Sequence, residues 1–385
     1  MSETNVAPEG ALMGIRVIDL TRILAGPFCT MLLADMGAEV IKVESPAGGD
    51  AVRKQGVIKD GMSWYFAQFN RNKKSVTLDL YTDEGKVKLS ALLETADVLV
   101  ENFRPGVLAK MGFDEVRLKQ LNPKLIVGSV NGYGSTGPYV DRPSFDFIAQ
   151  AMSGFMSLTG EIDGEPMRAA PPMADLIAGL YCAFGVVTAL TARHRTGEGQ
   201  YIESSLSNSL ISMMAFLSAE YFATGKSPAR SGNNHAIVAP YGMFKAKDGA
   251  IAVAPSNETY VIRFLGAVGL GHLMEDDQFR TNADRMCNRV QLLEIIDRET
   301  EKETVDHWIE VINGAGCPCG RVMGLDEVFA DPQVRAMEMV LDVDHGDSGV
   351  IRMTGFPVKM SKTPARIRHP APLLGQHNDE ILGES

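Results

Sequence analysis

The chain has 385 residues, of which 45% are apolar and 22% charged, and its formal net charge is -11. That length can bury a large core and suggests two domains, and the composition is that of a globular protein rather than a disordered or fibrous one. An acidic balance argues against general nucleic-acid binding, so an anionic ligand would need a local basic site.

The first half alternates strand and helix signals. "GIRVIDL" (14–20) reads as an apolar strand, "PFCTMLLADMG" as the helix after it, and "EVIKVE" (39–44) as the next strand. "ADVLVEN" (96–102) and "LIVGSVNGYG" (125–134) repeat the pattern, with "GVLAKMGFDEVRLKQLN" between them as one helix. Short apolar strands separated by helices predict an α/β fold, with a parallel sheet covered on both faces. From residue 173 a helix runs to "RHRTGEGQ", whose glycines close it before a strand at "QYIESSL". A further helix is expected over roughly 207–224, then a hairpin through "YGMFKAKDGAIAVAPS" with its turn at Asp248-Gly249. Helices fill about 257–313, and a short α/β stretch and a Pro-rich end follow Cys319. The N-terminal "MSETNVAPEGAL" has no apolar signal region, and no run of about 18 apolar residues stands out as a membrane span. A cytoplasmic protein is expected.

Familiar site motifs are missing. A dinucleotide site would need G-x-G-x-x-G after the first strand, where this chain has "TRILAGPF" with one glycine ahead of Pro27. There is no Walker A pattern, and "NGYGSTGP" does not space its glycines around Ser135 as a serine-hydrolase elbow does. Cysteines 29, 182, 287, 317 and 319 form neither a disulfide framework nor a zinc pattern, and no histidine stands in H-E-x-x-H, so no metal is expected. Basic residues Arg22, Lys42, Arg53, Arg71, Lys73, Lys74, Arg104 and Lys110 cluster near strand ends. Taken singly most read as solvated surface. Together they stand where an anion would dock, outside the carboxyl ends of parallel strands.

In "PPMADLIAGLYCAFG" (171–185) one carboxylate, Asp175, falls in the first turn of an otherwise apolar helix. One reading makes it a helix cap. Another notes that Ala178, Gly179 and Cys182, at i+3, i+4 and i+7, share its face and are all small, as if a packed neighbour or a ligand needed room there.

These segments together resemble the class III CoA-transferase family (CaiB/BaiF proteins, formyl-CoA transferase among them). The resemblance runs from "VIDLTRILAGPFCTMLLADMGAEVIKVESPAGGD" through "FNRNKKSVTLDL", "ADVLVENFRPGVLAKMGF", "PPMADLIAGL" and "RTGEGQ" to "APLLGQHNDEIL". It implies a Rossmann-like large domain built from both ends of the chain, a smaller α+β domain, and an interlocked homodimer. The implied boundaries are 1–205 for the first part of the large domain, 206–224 for a linker helix, 225–325 for the small domain and 326–385 for the returning segment. The implied activity moves CoA from an acyl-CoA donor, with succinyl-CoA favoured, to a carboxylic acid acceptor. The family's catalytic aspartate falls on Asp175, which would pass through an anhydride and a CoA thioester, and Asp146 falls on a supporting acidic position. The small residues beside Asp175 would leave space for the acyl and pantetheine groups. CoA contacts are implied at Arg22, Leu24, Ala25, Leu78, Asn102, Phe103, Arg104 and Lys110, with no tightly bound cofactor. The chain departs from the family at Ser45, where a basic residue often stands, and it lacks the glycine-rich loop that covers the aspartate; "SGNNHAIVAPYG" (231–242) is the nearest substitute. Two alternatives share the fold. An α-methylacyl-CoA racemase would carry G-H-D where this chain has Ser144, Phe145 and Asp146, and Phe145 cannot take a proton. The other alternative is a catalytically inactive acyl-CoA-binding protein.

Overall fold

The computed structural model describes residues 10–383. The chain divides into two compact units, the larger formed by residues up to 155, 169–215 and from 332 onward, the other by 156–168 and 216–331. The large unit thus takes in 206–215, and the chain returns to it at 332.

Six parallel strands form the sheet of the large unit: β1 (Arg16–Asp19), β2 (Glu39–Glu44), β3 (Lys73–Thr77), β4 (Val98–Glu101), β5 (Ile126–Asn131) and β6 (Tyr201–Ser205). Their order across the sheet is β3-β2-β1-β4-β5-β6. This is the doubly wound arrangement that reverses direction between β1 and β4. Alternate side chains feed two cores. Val17, Val98 and Ile126 join one buried cluster with Cys29, Leu33, Cys182 and Val186, and Ile18, Ile41 and Leu99 join another with Leu89 and Leu93. Burial on both faces explains why these strands read as continuous apolar runs. Strand β3 has no such run, because its "KKSVT" alternates, and it went unread in the sequence. It lies at the sheet edge, where the C-terminal segment covers it: His377 N–H donates to the Ser75 carbonyl and Thr77 N–H to the Asn378 side chain. An edge strand left bare would be open to pairing with another chain.

Five helices matter for the site and its surroundings: α1 (Ala25–Asp35), α2 (Asp146–Met152), α3 (Met173–Thr196), α4 (Leu206–Ser212) and α5 (Ala215–Thr224). Helix α3 ends at Gly197, whose φ of 74° suits a left-handed cap. It packs on α1 and the sheet through Ala178, Gly179, Cys182 and Val186, all buried. A Cβ on Gly179 would lie 2.4 Å from the Ala25 carbonyl oxygen. The small residues beside Asp175 therefore let two helices approach. They do not leave room for acyl and pantetheine groups, as the sequence reading had it. Helix α3 is also long and apolar enough to cross a membrane, with a mean hydropathy of 1.8 over its best window, contrary to the expectation of no such run. Its buried stripe builds the core of the large unit.

Two single helices of the sequence reading are each two. The stretch 106–122 breaks into Val107–Lys110 and Glu115–Leu121, because Gly112 turns at φ 96° and Asp114 caps the second helix. The stretch 207–224 breaks between α4 and α5, where Ala215 takes a φ of 49°. In the central unit β7 (Gly242–Ala246) and β8 (Gly249–Val253) form the expected hairpin, and β9 (Cys319–Arg321) pairs with β8. Gly249 pairs with Ala246, so the turn is Lys247–Asp248, one residue earlier than expected. Asp248 instead accepts the Val305 N–H at 2.8 Å. That unit closes around Phe244, Ile251, Phe264, Leu292, Ile296 and Trp308.

Candidate active site

A cavity of about 430 Å³ opens in the large unit at the carboxyl ends of the strands. Its walls are Arg22–Ala25 after β1, Asn102–Pro105 after β4, Asn131–Gly134 after β5, the segment Arg142–Phe145, and Asp175 on α3. A crevice at the point where strand order reverses is where doubly wound sheets bind ligands.

The wall after β1 is tied on every side. Lys42 Nζ donates to the Thr21 carbonyl at 2.8 Å. Arg22 N–H donates to Asn102 Oδ1 at 2.8 Å, and Asn102 Nδ2 returns a bond to the Arg22 carbonyl at 2.7 Å. Ile23 N–H donates to both carboxylate oxygens of Asp50, at 3.1 and 3.2 Å. Ile23 has a φ of 69°, a left-handed conformation that costs a β-branched residue about 1–3 kcal/mol. The Asp50 contact holds it there.

Most of the clustered basic residues serve this scaffold. Lys42 pairs with Asp50 and Lys73 with Asp19, each at 3.1 Å with both side chains wholly buried. Arg71 pairs with Asp35 at 2.8 Å, and Arg53 makes two bonds to Glu44, at 2.8 and 2.6 Å. Lys42, Lys73 and Arg71 are thus neither solvated surface nor ligand contacts. Burial, only partly countered by Asp19, brings the Lys73 ammonium down to about 8. Three guanidinium groups line the cavity without a carboxylate partner among the described residues: Arg22, Arg104 and Arg142. Arg22 lies 5.2 Å over the Phe103 ring and Arg142 lies 3.9 Å over that of Tyr139.

Asp175 is half-buried and draws no hydrogen bond from the described residues. The capping that one reading assigned to it is done by Asp146. That side chain, buried at the start of α2, accepts the Ala174 N–H at 2.8 Å and Gln150 Nε2 at 2.7 Å. Gln150 is fixed in turn by the Ala169 N–H at 2.9 Å. Burial, and after it the negative charge of Asp146, pushes the Asp175 carboxyl up to about 7. Burial, then Asp175 and Asp50, also pushes the Tyr65 phenol up to about 12.

Of the residues expected to form the site, Arg22, Leu24, Ala25, Asn102, Phe103, Arg104 and Asp175 share the cavity. Leu78 lines an adjoining cavity of about 110 Å³ together with Ser45, and that cavity shares Arg22, Gly49 and Phe103 with the larger one. Lys110 is exposed at the end of its short helix and lines neither. Asp146 does not line the cavity, and its hydrogen bonding reaches Asp175 only through the Ala174 N–H beside it. The segment 231–242 belongs to the central unit. Sequence reasoning missed Ile23, Asn131, Tyr133 and Arg142. The "NGYG" after β5 was the available signal: a Cβ on Gly132 would lie 2.5 Å from that of Ser144, so glycine lets the 142–146 segment lie against the strand end. Among the described residues no group of histidine, cysteine and acidic side chains is placed to hold a metal ion.

A doubly wound sheet whose switch-point cavity holds the Asp175 carboxylate among guanidinium groups fits a binding site for an anionic ligand. The chain matches CoA-transferase family III over residues 12–378 and belongs to that family. It is 40% identical to the succinate–glutarate CoA-transferase of Agrobacterium fabrum, over 97% of this chain and 95% of that one. It is 37% identical to the succinyl-CoA:glutarate CoA-transferase of Homo sapiens, over 99% of this chain and 86% of that one. The solved CaiB/BaiF family protein from Brucella suis superposes with a TM-score of 0.86 at 37% identity, covering 97% of this chain and 99% of that one. The protein is therefore an enzyme, a CoA-transferase that acts on acyl-CoA thioesters and carboxylic acids.

Proposed function

We propose that the enzyme exchanges CoA between succinyl-CoA and a second small dicarboxylic acid, with Asp175 as the nucleophile. The observation that carries this is the Asp175 carboxylate itself, which lines the cavity and is engaged by no donor among the described residues. The dicarboxylate preference is drawn from the relatives' names, which pair succinate with glutarate.

The chemistry is a sequence of four acyl substitutions. An oxygen of Asp175 attacks the thioester carbonyl carbon, the carbon–sulfur bond breaks, and CoA leaves as a thiolate. The mixed anhydride so formed is attacked by that thiolate at the aspartyl carbonyl, which releases the donor as its free carboxylate and leaves CoA on Asp175. The acceptor carboxylate then attacks the aspartyl thioester and expels the thiolate, and the thiolate attacks the acceptor's carbonyl in the new anhydride. The Asp175 carboxylate is restored and no proton is consumed. A carboxylate suits this role because its acyl derivatives stay as reactive as the thioester, whereas a serine ester would trap the acyl group. Asp146 serves by fixing the first turn of α3 and by keeping Asp175 basic, hence nucleophilic. Arg22 and Arg104 take CoA phosphates at the cavity wall, the adenine enters the adjoining cavity at Leu78 and Ser45, and Lys110 can reach only a phosphate outside both. Phe145, exposed at the cavity, stands where a racemase would need a base, which favours transfer over racemisation.

Trapping decides the point. Succinyl-CoA incubated with the protein and quenched with hydroxylamine should leave a hydroxamate on Asp175, found by peptide mass spectrometry, and prior addition of acceptor acid should remove it. Deuterium exchange at the α-carbon of a chiral 2-methylacyl-CoA without this label would favour the racemase. The proposal includes a homodimer, favoured by the exposed apolar face of α3 at Leu180, Tyr181, Phe184 and Val187. Sedimentation velocity should give twice the chain mass, and a monomer would reject it.

A further inference from the structure

We propose that Arg142 reads the distal carboxylate of the dicarboxylic acyl group, and so selects dicarboxylates over monocarboxylates of the same length. The inference rests on the assignment of Asp175 as the nucleophile in dicarboxylate exchange.

Three observations place an acid-binding cation here. Arg142 lines the same cavity as Asp175. Its guanidinium lies 3.9 Å over the Tyr139 ring, and Tyr139 is itself held edge-on by Tyr133 at 5.6 Å. Stacking fixes the plane of the fork and leaves its edge N–H groups free, the arrangement that favours two parallel bonds to a carboxylate. No acidic side chain among the described residues forms an ion pair with Arg142 in the salt bridges of the large unit. Arg142 is exposed, and in a protein of net charge -11 a stacked guanidinium without an ion pair at the cavity wall is available to an anionic occupant.

Its position in the chain favours the acid end of that occupant over the phosphates. Arg142 stands four residues before Asp146, whose carboxylate accepts the N–H of Ala174, the neighbour of Asp175. Four residues span at most about 14 Å. The intervening Ser144 is pressed against Gly132 at the end of β5, which limits where the segment can go. A four- or five-carbon diacid attached through one carboxyl at Asp175 carries its other carboxylate several ångströms away. A long arginine side chain can cover the remainder. Arg22 and Arg104 stand instead on the walls after β1 and β4, beside the adjoining cavity.

The test compares acids matched in length and differing only at the distal group. Succinyl-CoA serves as donor with glutarate or valerate as acceptor, and succinyl-CoA is compared with butyryl-CoA as donor. In Arg142→Leu, kcat/KM for glutarate should fall about 10- to 100-fold, the usual worth of a hydrogen-bonded charge pair, mostly through KM. The value for valerate should hold, so the preference between the two acids collapses. Arg142→Lys should retain an intermediate preference. A glutarate-to-valerate ratio equal to that of the wild type would overturn the assignment of Arg142 alone. So would equal rises in KM for succinyl-CoA and butyryl-CoA, which would mark a phosphate contact. No exchange with any of these acids in the wild-type enzyme would overturn the proposed function, and this inference with it.

Discussion

Asp175→Ala should lower CoA transfer by about 10⁴-fold or more, because the substitution removes the carboxyl group whose oxygen holds the acyl group in the anhydride and whose carbon then holds CoA as a thioester. The variant should keep its fold. Asp175 makes no hydrogen bond within the described residues, and the capping of α3 falls to Asp146 through Ala174. The affinity for CoA should stay near that of the wild type, since the phosphate contacts assigned above lie on other walls. Activity in the wild type should depend on pH with the sign set by the raised carboxyl: kcat/KM should climb about tenfold per pH unit toward the value of about 7 and level above it, where the nucleophile is ionised. Stability should run the other way. Between the ordinary aspartate range and about 7 the folded state binds a proton the unfolded chain has lost, so the wild type loses stability as pH rises through that window. Asp175→Ala should lack this slope. Asp146→Asn should move the inflection of the rate profile down without returning it to 3.8, because burial, the larger cause, remains. A variant at Asp175 with transfer near wild type, or a profile that falls between pH 5 and 7, would remove Asp175 from the chemistry.

What could be read from the chain follows from how its signals arise. Strands β1, β2, β4 and β5 declare themselves because burial on both faces favours apolar runs, whereas β6, "YIESS" with Tyr201 exposed, is marked by the glycines that close α3 ahead of it. Strand β3 hides because its buried face carries Lys73 and Ser75, which ion pairing and hydrogen bonds make tolerable there. Both lysines look like surface; Lys74 does lie partly there, paired with Glu39 and Glu380, but only the position of Asp19 on β1, more than fifty residues earlier in sequence, makes sense of Lys73. The same distance problem reversed the meaning of Gly179. Small residues on one helix face can signal a ligand or a neighbour, and only the path of α1 shows that the neighbour is there. Asp175 stood out as the one carboxylate in an apolar helix segment, and the family resemblance pointed to it and to Asp146; the hydrogen bond to Ala174 adds what Asp146 touches, which no sequence signal reports. Arg142 gave no signal at all. An arginine in a polar loop is ordinary, and nothing local reports that the loop returns to the cavity wall.

Lys42→Met should destabilise the large unit by about 3–5 kcal/mol, the cost of leaving a buried charge without its partner. Lys42 and Asp50 are both wholly buried at 3.1 Å, and Lys42 Nζ also donates to the Thr21 carbonyl. Methionine fills the volume and removes both interactions, leaving Asp50 with only backbone donors from Ile23 and Val52. Those donors are what tie the wall after β1, so the loss should reach function. Ile23 keeps its left-handed φ of 69° only while Asp50 is held in place, and KM for the acyl-CoA should rise as Arg22–Ala25 loosens. The effect should be flat across about pH 5–7, below the range near 8 where Lys73, whose ammonium Lys42 also helps to lower, begins to titrate. Burial works to lower the Lys42 ammonium, but Asp19, Asp50 and Glu44 outweigh it and raise it above 10.5, so its contribution is complete below that value and lost only above it. Burial likewise works to raise Asp19, but Lys73 and Lys42 outweigh it, and that contribution is lost only as pH falls below the usual aspartate range. Adding Asp50→Asn to Lys42→Met tests the cause directly. Asparagine can still accept the Ile23 N–H while carrying no charge, so the double variant should regain more than half of the lost stability in urea unfolding and most of the lost affinity for acyl-CoA. A single variant within about 1 kcal/mol of wild type would mean that water reaches this pair and that the wall is held by other contacts.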